Sequence, residues 1–108
     1  GVVFDQIGSP TYARDLARSI MQIVDKGIIP GVYHFTNEGV CSWYDFTRAI
    51  HRLEGIDSCK VSPIHTEDYP VPAQRPHYSV LDKSKIKETF GIDIRWWEDA
   101  LKECIKEL

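Results

Sequence analysis

Apolar residues recur at helical spacing in four segments of the chain, which predicts four helices. The first helix is expected to begin after Ser9 or Thr11, either of which can cap it, with Pro10 in its first turn. Gly27 follows the last apolar position and is expected to end the helix. The apolar positions of this helix are Ala13, Leu16, Ala17, Ile20, Ile23 and Val24.

The second helix carries the most specific start signal. Ser42 is followed three residues later by Asp45, which is the spacing of a capping box. In that arrangement the Ser42 hydroxyl accepts from the Asp45 backbone N–H, and the Asp45 carboxylate accepts from the backbone N–H of Ser42. Gly55 is expected to end the helix. Its predicted apolar face consists of Phe46, Ile50 and Leu53.

The last two helices lie in the final quarter of the chain. Asp82 can cap the shorter of them, Ile86 and Phe90 form its inner side, and Gly91 stands where a left-handed C-terminal residue belongs. The final helix carries its apolar residues at helical intervals, at Trp97, Leu101, Cys104, Ile105 and Leu108.

Three short segments are typical of strands. Residues 2–4 resemble the end of a buried strand, residues 31–35 are β-branched and aromatic before a turn, and Pro63 restricts residues 60–64 to a sheet edge. Residues 65–76 contain three prolines and are predicted to form an extended loop. The fold class predicted is α/β, a small mixed region of about four helices and two or three short strands.

Length and charge limit what this chain does. Its 108 residues allow one ordinary domain, spanning 1–108. Thirteen Lys and Arg against sixteen Asp and Glu give a net charge of -3, which offers no general attraction to nucleic acid. No apolar run approaches the roughly 20 residues needed to cross a bilayer, so no membrane association is expected.

The cysteines and the first residues indicate the compartment and the origin of the chain. Cys41, Cys59 and Cys104 are odd in number and widely spaced, which argues against a disulfide framework and favours a reducing cytoplasm. The chain starts without Met, inside what resembles a strand, and without a signal peptide. We therefore expect it to be cut from a longer protein.

Several kinds of catalytic site are missing from the sequence. No G-x-G-x-x-G or P-loop motif is present, so no glycine loop for a nucleotide is encoded. No nucleophile elbow is present, and Cys41 is interpreted as an ordinary buried thiol rather than a reactive one. A Tyr-x-x-x-Lys pair is also missing, and its nearest approach, Tyr44 with Arg48, is interpreted as helix surface.

The histidines do not indicate a helical metal site, because no two of them are four residues apart as in H-E-x-x-H. His34 is interpreted as a structural residue of the predicted strand. No metal site is therefore predicted. The four histidines are His34, His51, His65 and His77.

Three stretches together resemble one family, the dTDP-4-dehydrorhamnose reductases, which are extended short-chain dehydrogenase/reductases. The first is DQIGSPT at 5–11 with DLA at 15–17, the second runs from GVYHF at 31–35 to SWYDF at 42–46, and the third is RPHYSVLD at 75–82. In this order, and with the final W-x-x-x-L helix, they are similar to the C-terminal third of that family.

The resemblance implies a function for a longer parent enzyme. The family reduces the C4 keto group of dTDP-4-dehydro-β-L-rhamnose with NADPH, which yields dTDP-L-rhamnose for bacterial surface glycans. The family's glycine loop and its Thr, Tyr and Lys catalytic residues belong to the N-terminal Rossmann half, and this chain lacks them. The chain alone is therefore expected to be inactive and to bind no NADPH. Whether the parent holds Mg²⁺ stays open.

The part that remains is expected to bind the sugar nucleotide. The candidate substrate residues are Gln6, Arg75, Thr11 and Tyr78. Arg75 can bind two phosphate oxygens, and the amide of Gln6 can both donate and accept. Each has a structural alternative: a surface ion pair for Arg75, a loop brace for Gln6, a helix cap for Thr11 and core cover for Tyr78.

Neighbouring charged residues are assigned structural roles. Asp5 is interpreted as a loop brace, and Asp15 as a partner of the loop, Arg14 or Arg18. A solvated helix face is expected to carry Lys83, Lys85 and Lys87.

Two other functions remain open at this point. A partner-binding regulator similar to the β subunit of methionine adenosyltransferase shares much of the pattern. A third interpretation is another sugar-nucleotide epimerase or reductase, although the loop at 5–11 argues against most epimerases. Without its N-terminal half the chain is expected to expose apolar surface and to self-associate or form a homo-oligomer.

Overall fold

Four helices and four two-residue strands form the regular structure of this chain, which a computed structural model describes over all 108 residues. The helices are α1 (Ala13–Lys26), α2 (Trp43–Glu54), α3 (Ser84–Phe90) and α4 (Trp97–Lys106). The strands are β1 (Val2–Val3), β2 (Ile7–Gly8), β3 (Cys41–Ser42) and β4 (Pro63–Ile64). A single 3-10 turn spans Thr66–Asp68. The predicted mixed α/β class is confirmed.

The chain forms two structural units. The first unit contains residues 1–9 and 40–80, and the second contains residues 10–39 and 81–108. All four strands belong to the first unit together with α2, whereas α1, α3 and α4 belong to the second.

Two short strand pairs organise the first unit. β1 pairs in parallel with β4, and the backbone N–H of Phe4 donates to the Ile64 carbonyl at 3.0 Å. β2 pairs antiparallel with β3, two strands that the sequence pattern did not indicate. Each sheet has only two strands, so Pro63 lies on an edge as predicted, although the strand is shorter than residues 60–64.

Helix α2 begins and ends as its sequence predicts. The Asp45 backbone N–H donates to Ser42 Oγ at 3.0 Å, and the Ser42 N–H donates to the Asp45 carboxylate at 3.0 Å. Gly55 ends the helix in the left-handed region at φ 65°. The predicted apolar face is narrower than expected, because Leu53 is exposed.

The start of α1 differs from the prediction. Neither Ser9 nor Thr11 caps the helix, since Tyr12 occupies the N-cap position and makes no side-chain cap bond. The polar partner comes from a distant residue instead: the side-chain oxygen of Asn37 accepts from the Tyr12 N–H at 2.7 Å. The predicted end at Gly27 is confirmed.

The face that α1 buries also differs from the prediction. Asp15 and Ser19 are buried, whereas four large apolar residues are between 37% and 58% exposed. We call these four residues the α1 apolar face, and they are Leu16, Ile20, Met21 and Val24. Most of the apolar stripe is therefore exposed, although Ile23 packs against the buried cluster around Ile86 and Phe90.

The strand predicted at residues 31–35 is wrong, because this segment pairs with no strand. Tyr33 and Phe35 pack instead against the buried cluster of Ile86, Phe90 and Ile92. Apolar alternation makes a segment suited to a sheet, but a strand also requires a neighbour for its backbone groups.

The short helix α3 supplies the core of the second unit. Asp82 Oδ1 accepts from the Ser84 backbone N–H at 2.9 Å, as expected for a helix start, although the N-cap position itself is Lys83. Gly91 ends the helix at φ 65°, as predicted. In α4 the prediction holds for Trp97 and Leu101, which are buried.

The end of the chain corrects one apolar position. Leu108 lies beyond Lys106, the last residue of α4, and is almost fully exposed. No helix in the structure combines the length and apolar character that a membrane span requires.

Candidate functional site

Three of the four predicted substrate residues belong to the first unit, and two of them lie on adjacent backbone segments. Ile7, next to Gln6, forms an isolated parallel bridge with Tyr78. The Ile7 N–H donates to the His77 carbonyl at 2.7 Å, and the Ser79 N–H donates to the Ile7 carbonyl at 2.8 Å. Gln6 and Tyr78 are thus held on neighbouring strand-like segments.

Arg75 and Thr11 are not part of the bridge between Ile7 and Tyr78. Arg75 lies two residues before His77 in the proline-rich loop and is exposed. Thr11 belongs to the second unit, where it is exposed beside the start of α1.

The carboxamide of Gln6 faces the 3-10 turn. Its Nε2 lies 3.4 Å from Thr66 Oγ1, at the long limit of a hydrogen bond. Gln6 is only partly buried. This long contact joins Gln6 to the turn at Thr66, and the choice between a loop brace and a substrate contact stays a prediction.

Asp5 is the residue that fixes the turn. Its Oδ1 accepts from Thr66 Oγ1 at 2.6 Å and from the Thr66 backbone N–H at 3.0 Å. The Thr66 hydroxyl holds the pKa of Asp5 below its usual value. Asp5 thus braces a loop, but this loop is the 3-10 turn at Thr66 rather than the turn at residues 8–10 that was expected from the sequence.

Two histidines and a glutamate lie near the Asp5 carboxylate. His65 Nδ1 lies 3.7 Å and His77 Nδ1 3.9 Å from Asp5 Oδ2, and Glu67 is on the same 3-10 turn. His77 Nδ1 is also 2.8 Å from the Asp5 backbone oxygen. We call these residues the Asp5 cluster, comprising Asp5, His65, Glu67 and His77. Sequence spacing missed it, because its members are separated by up to 72 positions.

A second polar group, the Asp15 network, lies in the second unit and comprises Asp15, Asn37, Arg95 and Glu103. Arg95 donates to both oxygens of Asp15, at 2.8 and 2.9 Å, and Asn37 Nδ2 donates to Asp15 Oδ2 at 2.7 Å. Arg95 also pairs with Glu103. Asp15 is structural, as predicted, but its main partner is Arg95, which the sequence did not suggest.

The partners of Asp15 in this network determine the direction of its pKa shift. Burial by itself raises the pKa of Asp15, but hydrogen bonds from Arg95 and Asn37 outweigh burial and bring that pKa below its usual value. Arg18 lies 3.6 Å from Asp15, whereas Arg14 pairs with Glu107. The network borders a cavity of about 330 Å³ whose other walls include Ser19, Gln22, Phe35 and Ile94.

Three lysines at the start of α3 and within it were expected to form a solvated helix face. The Lys83 side chain is only 9% exposed, and its Nζ lies 3.0 Å from Glu38 Oε1 and 3.2 Å from Thr36 Oγ1. Lys87 pairs with the same glutamate at 3.1 Å, and Lys85 lies over the Tyr33 ring. Hydrogen bonds from Lys83 and Lys87 hold the pKa of Glu38 below its usual range. Lys83 and Lys87 therefore stabilise the unit through Glu38, whereas Lys85 is exposed as expected.

The chain contains no glycine-rich loop of the kind that binds a dinucleotide pyrophosphate. The glycines in positive-φ conformations are isolated in sequence, and none belongs to a glycine-rich turn before a helix. Such a turn is what allows backbone N–H groups to approach a pyrophosphate. Cys41 is buried in β3, in line with its interpretation as a packing thiol.

Comparison with known proteins assigns the chain to a family. The family model described as the RmlD substrate binding domain matches residues 1–108. The spore coat polysaccharide biosynthesis protein SpsK of Bacillus subtilis is 44% identical over 98% of this chain and 36% of its own length. A dTDP-4-dehydrorhamnose reductase of Mycolicibacterium smegmatis is 40% identical over 96% of this chain and 32% of its own length.

Solved structures of dTDP-4-dehydrorhamnose reductases are also similar to this chain. A dTDP-4-dehydrorhamnose reductase from Clostridium acetobutylicum is similar with a TM-score of 0.88 and 47% identity, over 98% of this chain and 37% of its own. The Bacillus anthracis reductase, solved in complex with NADP, has a TM-score of 0.88 and 34% identity, over 98% of this chain and 36% of its own.

The chain thus spans about a third of the length of the curated relatives it matches. These comparisons support the reductase interpretation and not the regulatory one. The match over residues 1–108 confirms the resemblance predicted from the three motifs. This chain is a member of the RmlD substrate-binding domain family.

Proposed function

We propose that this chain is the sugar-nucleotide-binding part of an NADPH-dependent reductase that converts dTDP-4-dehydro-β-L-rhamnose into dTDP-L-rhamnose. The observation that carries the proposal is the match to a substrate-binding family along residues 1–108. The relatives named as reductases of dTDP-4-dehydrorhamnose support the choice of substrate.

Within the chain, we assign substrate contacts to Gln6, Tyr78, Arg75 and Thr11. Tyr78 is well exposed, so its ring is available to stack on a thymine base. Arg75 offers a planar guanidinium that can donate to two oxygens of a diphosphate. Gln6 is held so weakly by Thr66 that its amide can turn to a ligand. Residues 1–108 act as one substrate-binding domain in this proposal.

Reduction itself needs a second part. NADPH supplies the hydride when it is bound, and we assign its binding to the parent's N-terminal half, because this chain contains no glycine-rich nucleotide motif and no Tyr-x-x-x-Lys pair. The role of this chain is to bind and orient the sugar nucleotide. None of the three cysteines forms a disulfide, which fits a reaction in the reducing cytoplasm.

Ligand titration tests the proposal. We expect dTDP or dTDP-rhamnose to bind weakly and to shift amide NMR signals near Gln6 and Arg75, and NADPH to shift none. Replacing Arg75 with alanine should weaken dTDP binding about tenfold or more, because a charge-assisted bidentate contact is lost. The matched control is Arg48→Ala, which removes an exposed arginine from α2 and should leave affinity unchanged. Shifts caused by NADPH and not by dTDP would refute the assignment.

The exposed α1 apolar face is the surface that we assign to the N-terminal half. The relatives are almost three times as long as this chain, so a large additional segment accompanies this domain in them. An apolar stripe on a helix is normally covered, and here the helix buries Asp15 and Ser19 instead.

Without that half, the chain is expected to self-associate through the α1 apolar face. Ile20→Glu places a charge in the middle of this face and should shift the sedimentation distribution at high concentration toward monomer. Val71→Glu is the control, since it changes an exposed apolar residue of a loop in the first unit in the same way. The prediction would be contradicted if the unsubstituted 108-residue chain were strictly monomeric, or if both variants had the same effect.

A further inference from the structure

We propose that the Asp5 cluster binds a divalent transition-metal ion of the zinc type, with Asp5, His65 and Glu67 as its protein ligands. One ligand atom from each of these three residues lies within 4.8 Å of the other two. Ligand atoms around a tetrahedral ion with bonds of about 2.0–2.2 Å are separated by about 3.3–3.6 Å. The 3.7 Å between His65 Nδ1 and Asp5 Oδ2 is already close to that separation.

The backbone brings these donors together before any ion binds. The Phe4 N–H donates to the Ile64 carbonyl at 3.0 Å, which places Asp5 beside the segment that carries His65 and Glu67. The 3-10 turn of Thr66–Asp68 then orients Glu67, with the Asp68 N–H donating to the His65 carbonyl at 3.0 Å. The three donor atoms already lie within 4.8 Å of one another.

Both oxygens of the Asp5 carboxylate accept hydrogen bonds from Thr66, and Oδ2 also faces the cluster. Asp5 Oδ1 accepts the Thr66 hydroxyl at 2.6 Å, and Oδ2 lies nearest the two imidazoles. Hydrogen bonds of this kind, from a residue behind the ligand, orient metal-binding carboxylates in proteins. Thr66 is therefore a positioning residue of the proposed site.

The imidazoles of His65 and His77 differ in their hydrogen bonding. At 3.7 Å the contact between His65 Nδ1 and Asp5 is too long for a hydrogen bond, and the His65 ring rests edge-on against Phe4 with centroids 4.9 Å apart. His77 Nδ1 is bonded to the Asp5 backbone oxygen at 2.8 Å. His77 thus supports the segment that carries Asp5, and a fourth position on the ion is left for water.

The donor set decides the kind of ion. One imidazole nitrogen with two carboxylate oxygens suits Zn²⁺, Co²⁺ or Ni²⁺, whereas Mg²⁺ prefers oxygen ligands in an octahedral arrangement. The proposal therefore concerns a site different from an all-oxygen magnesium site. It also stands independently of the reductase assignment, because it depends only on the contacts within the first unit.

Calorimetric titration of the 108-residue chain with ZnCl₂ tests the site, using a Cys59→Ser background because Cys59 is an exposed thiol that can itself bind zinc. We expect one Zn²⁺ per chain, a tetrahedral Co²⁺ absorption spectrum, and no saturable binding of Mg²⁺ at the same concentrations. His65→Ala should weaken Zn²⁺ binding about tenfold or more, and Glu67→Gln should weaken it in the same direction.

The control is His34→Ala, which removes an exposed histidine of the second unit and should leave Zn²⁺ affinity unchanged. Far-UV circular dichroism checks that each variant is folded. Should His65→Ala fold poorly, Glu67→Gln decides alone, because this exposed carboxylate has no bracing role. Zn²⁺ binding that is absent, or that neither variant weakens, would overturn the proposal, as would equal binding of Mg²⁺.

Discussion

Replacing Asn37 with aspartate is expected to destabilise the protein by about 3 kcal/mol or more at pH 7. Asn37 is 1% exposed, and its Nδ2 donates to Asp15 Oδ2 at 2.7 Å. Aspartate keeps nearly the same volume and the oxygen that accepts from Tyr12, but it places a second carboxylate oxygen against Asp15. Urea unfolding followed by circular dichroism and tryptophan fluorescence measures the loss.

The pH dependence separates this charge effect from a packing defect. Two carboxylates in contact raise the pKa of one of them, so a proton taken up at lower pH restores a donor toward Asp15. The stability difference from the parent chain should therefore narrow as the pH falls from 7 to about 5. Gln22→Glu, an exposed site on α1 with the same charge change, should cost less than about 0.5 kcal/mol. A cost independent of pH would show that carboxylate repulsion is not its cause.

Replacing Arg95 with methionine is expected to cost about 2 kcal/mol at pH 7. Removing one partner of a buried ion pair costs about 3–5 kcal/mol, and we take a lower figure because the Arg95 side chain is 35% exposed and partly screened by solvent. Asp15 keeps Asn37, but it loses both guanidinium bonds. Unfolding in urea across a range of pH measures the effect.

The pH dependence of the free energy of unfolding at acidic pH shows in which direction the effect of Arg95→Met changes. The pKa of Asp15 is lowered in the folded chain, so its contribution is present above the ordinary value of 3.8 and is lost as the pH falls through the folded pKa. The Arg95→Met variant lacks most of this contribution, so its difference from the parent should shrink below about pH 4.

The matched control for Arg95 is Arg18→Met. Arg18 also faces Asp15, but at 3.6 Å and with its side chain 51% exposed. Its replacement should cost less than about 0.5 kcal/mol. If both variants were equally destabilised, the bidentate bond of Arg95 would not be the main support of Asp15.

Family membership was available from the sequence because its motifs are contiguous. The stretches at 5–11, 31–46 and 75–82 are short runs whose identity and order are independent of how the chain folds. The same stretches indicated Gln6, Arg75 and Tyr78 as candidates for substrate contact. The structure shows that the segments carrying Gln6 and Tyr78 are adjacent, and the roles of these residues stay predictions.

The sequence predictions that the structure corrected concern residues whose contacts are far away along the chain. Lys83 was expected in solvent, yet it is buried beside Thr36 and Glu38, which lie more than 40 residues earlier. Asp5 meets Thr66 across 61 positions, and no spacing rule connects such residues. A candidate metal site assembled from these segments is invisible to a search for ligands on one helix.

The sequence by itself determined the features that depend on neighbours within a few residues. The capping box of Ser42 and Asp45 and the glycine ends of α2 and α3 are set by backbone bonds inside one turn, so they form wherever the helix is placed. Only the tertiary structure decided which face of α1 is buried and that residues 31–35 stay unpaired. Both outcomes depend on what the rest of the chain brings alongside, because an ion network can bury a polar face and a strand requires a neighbour.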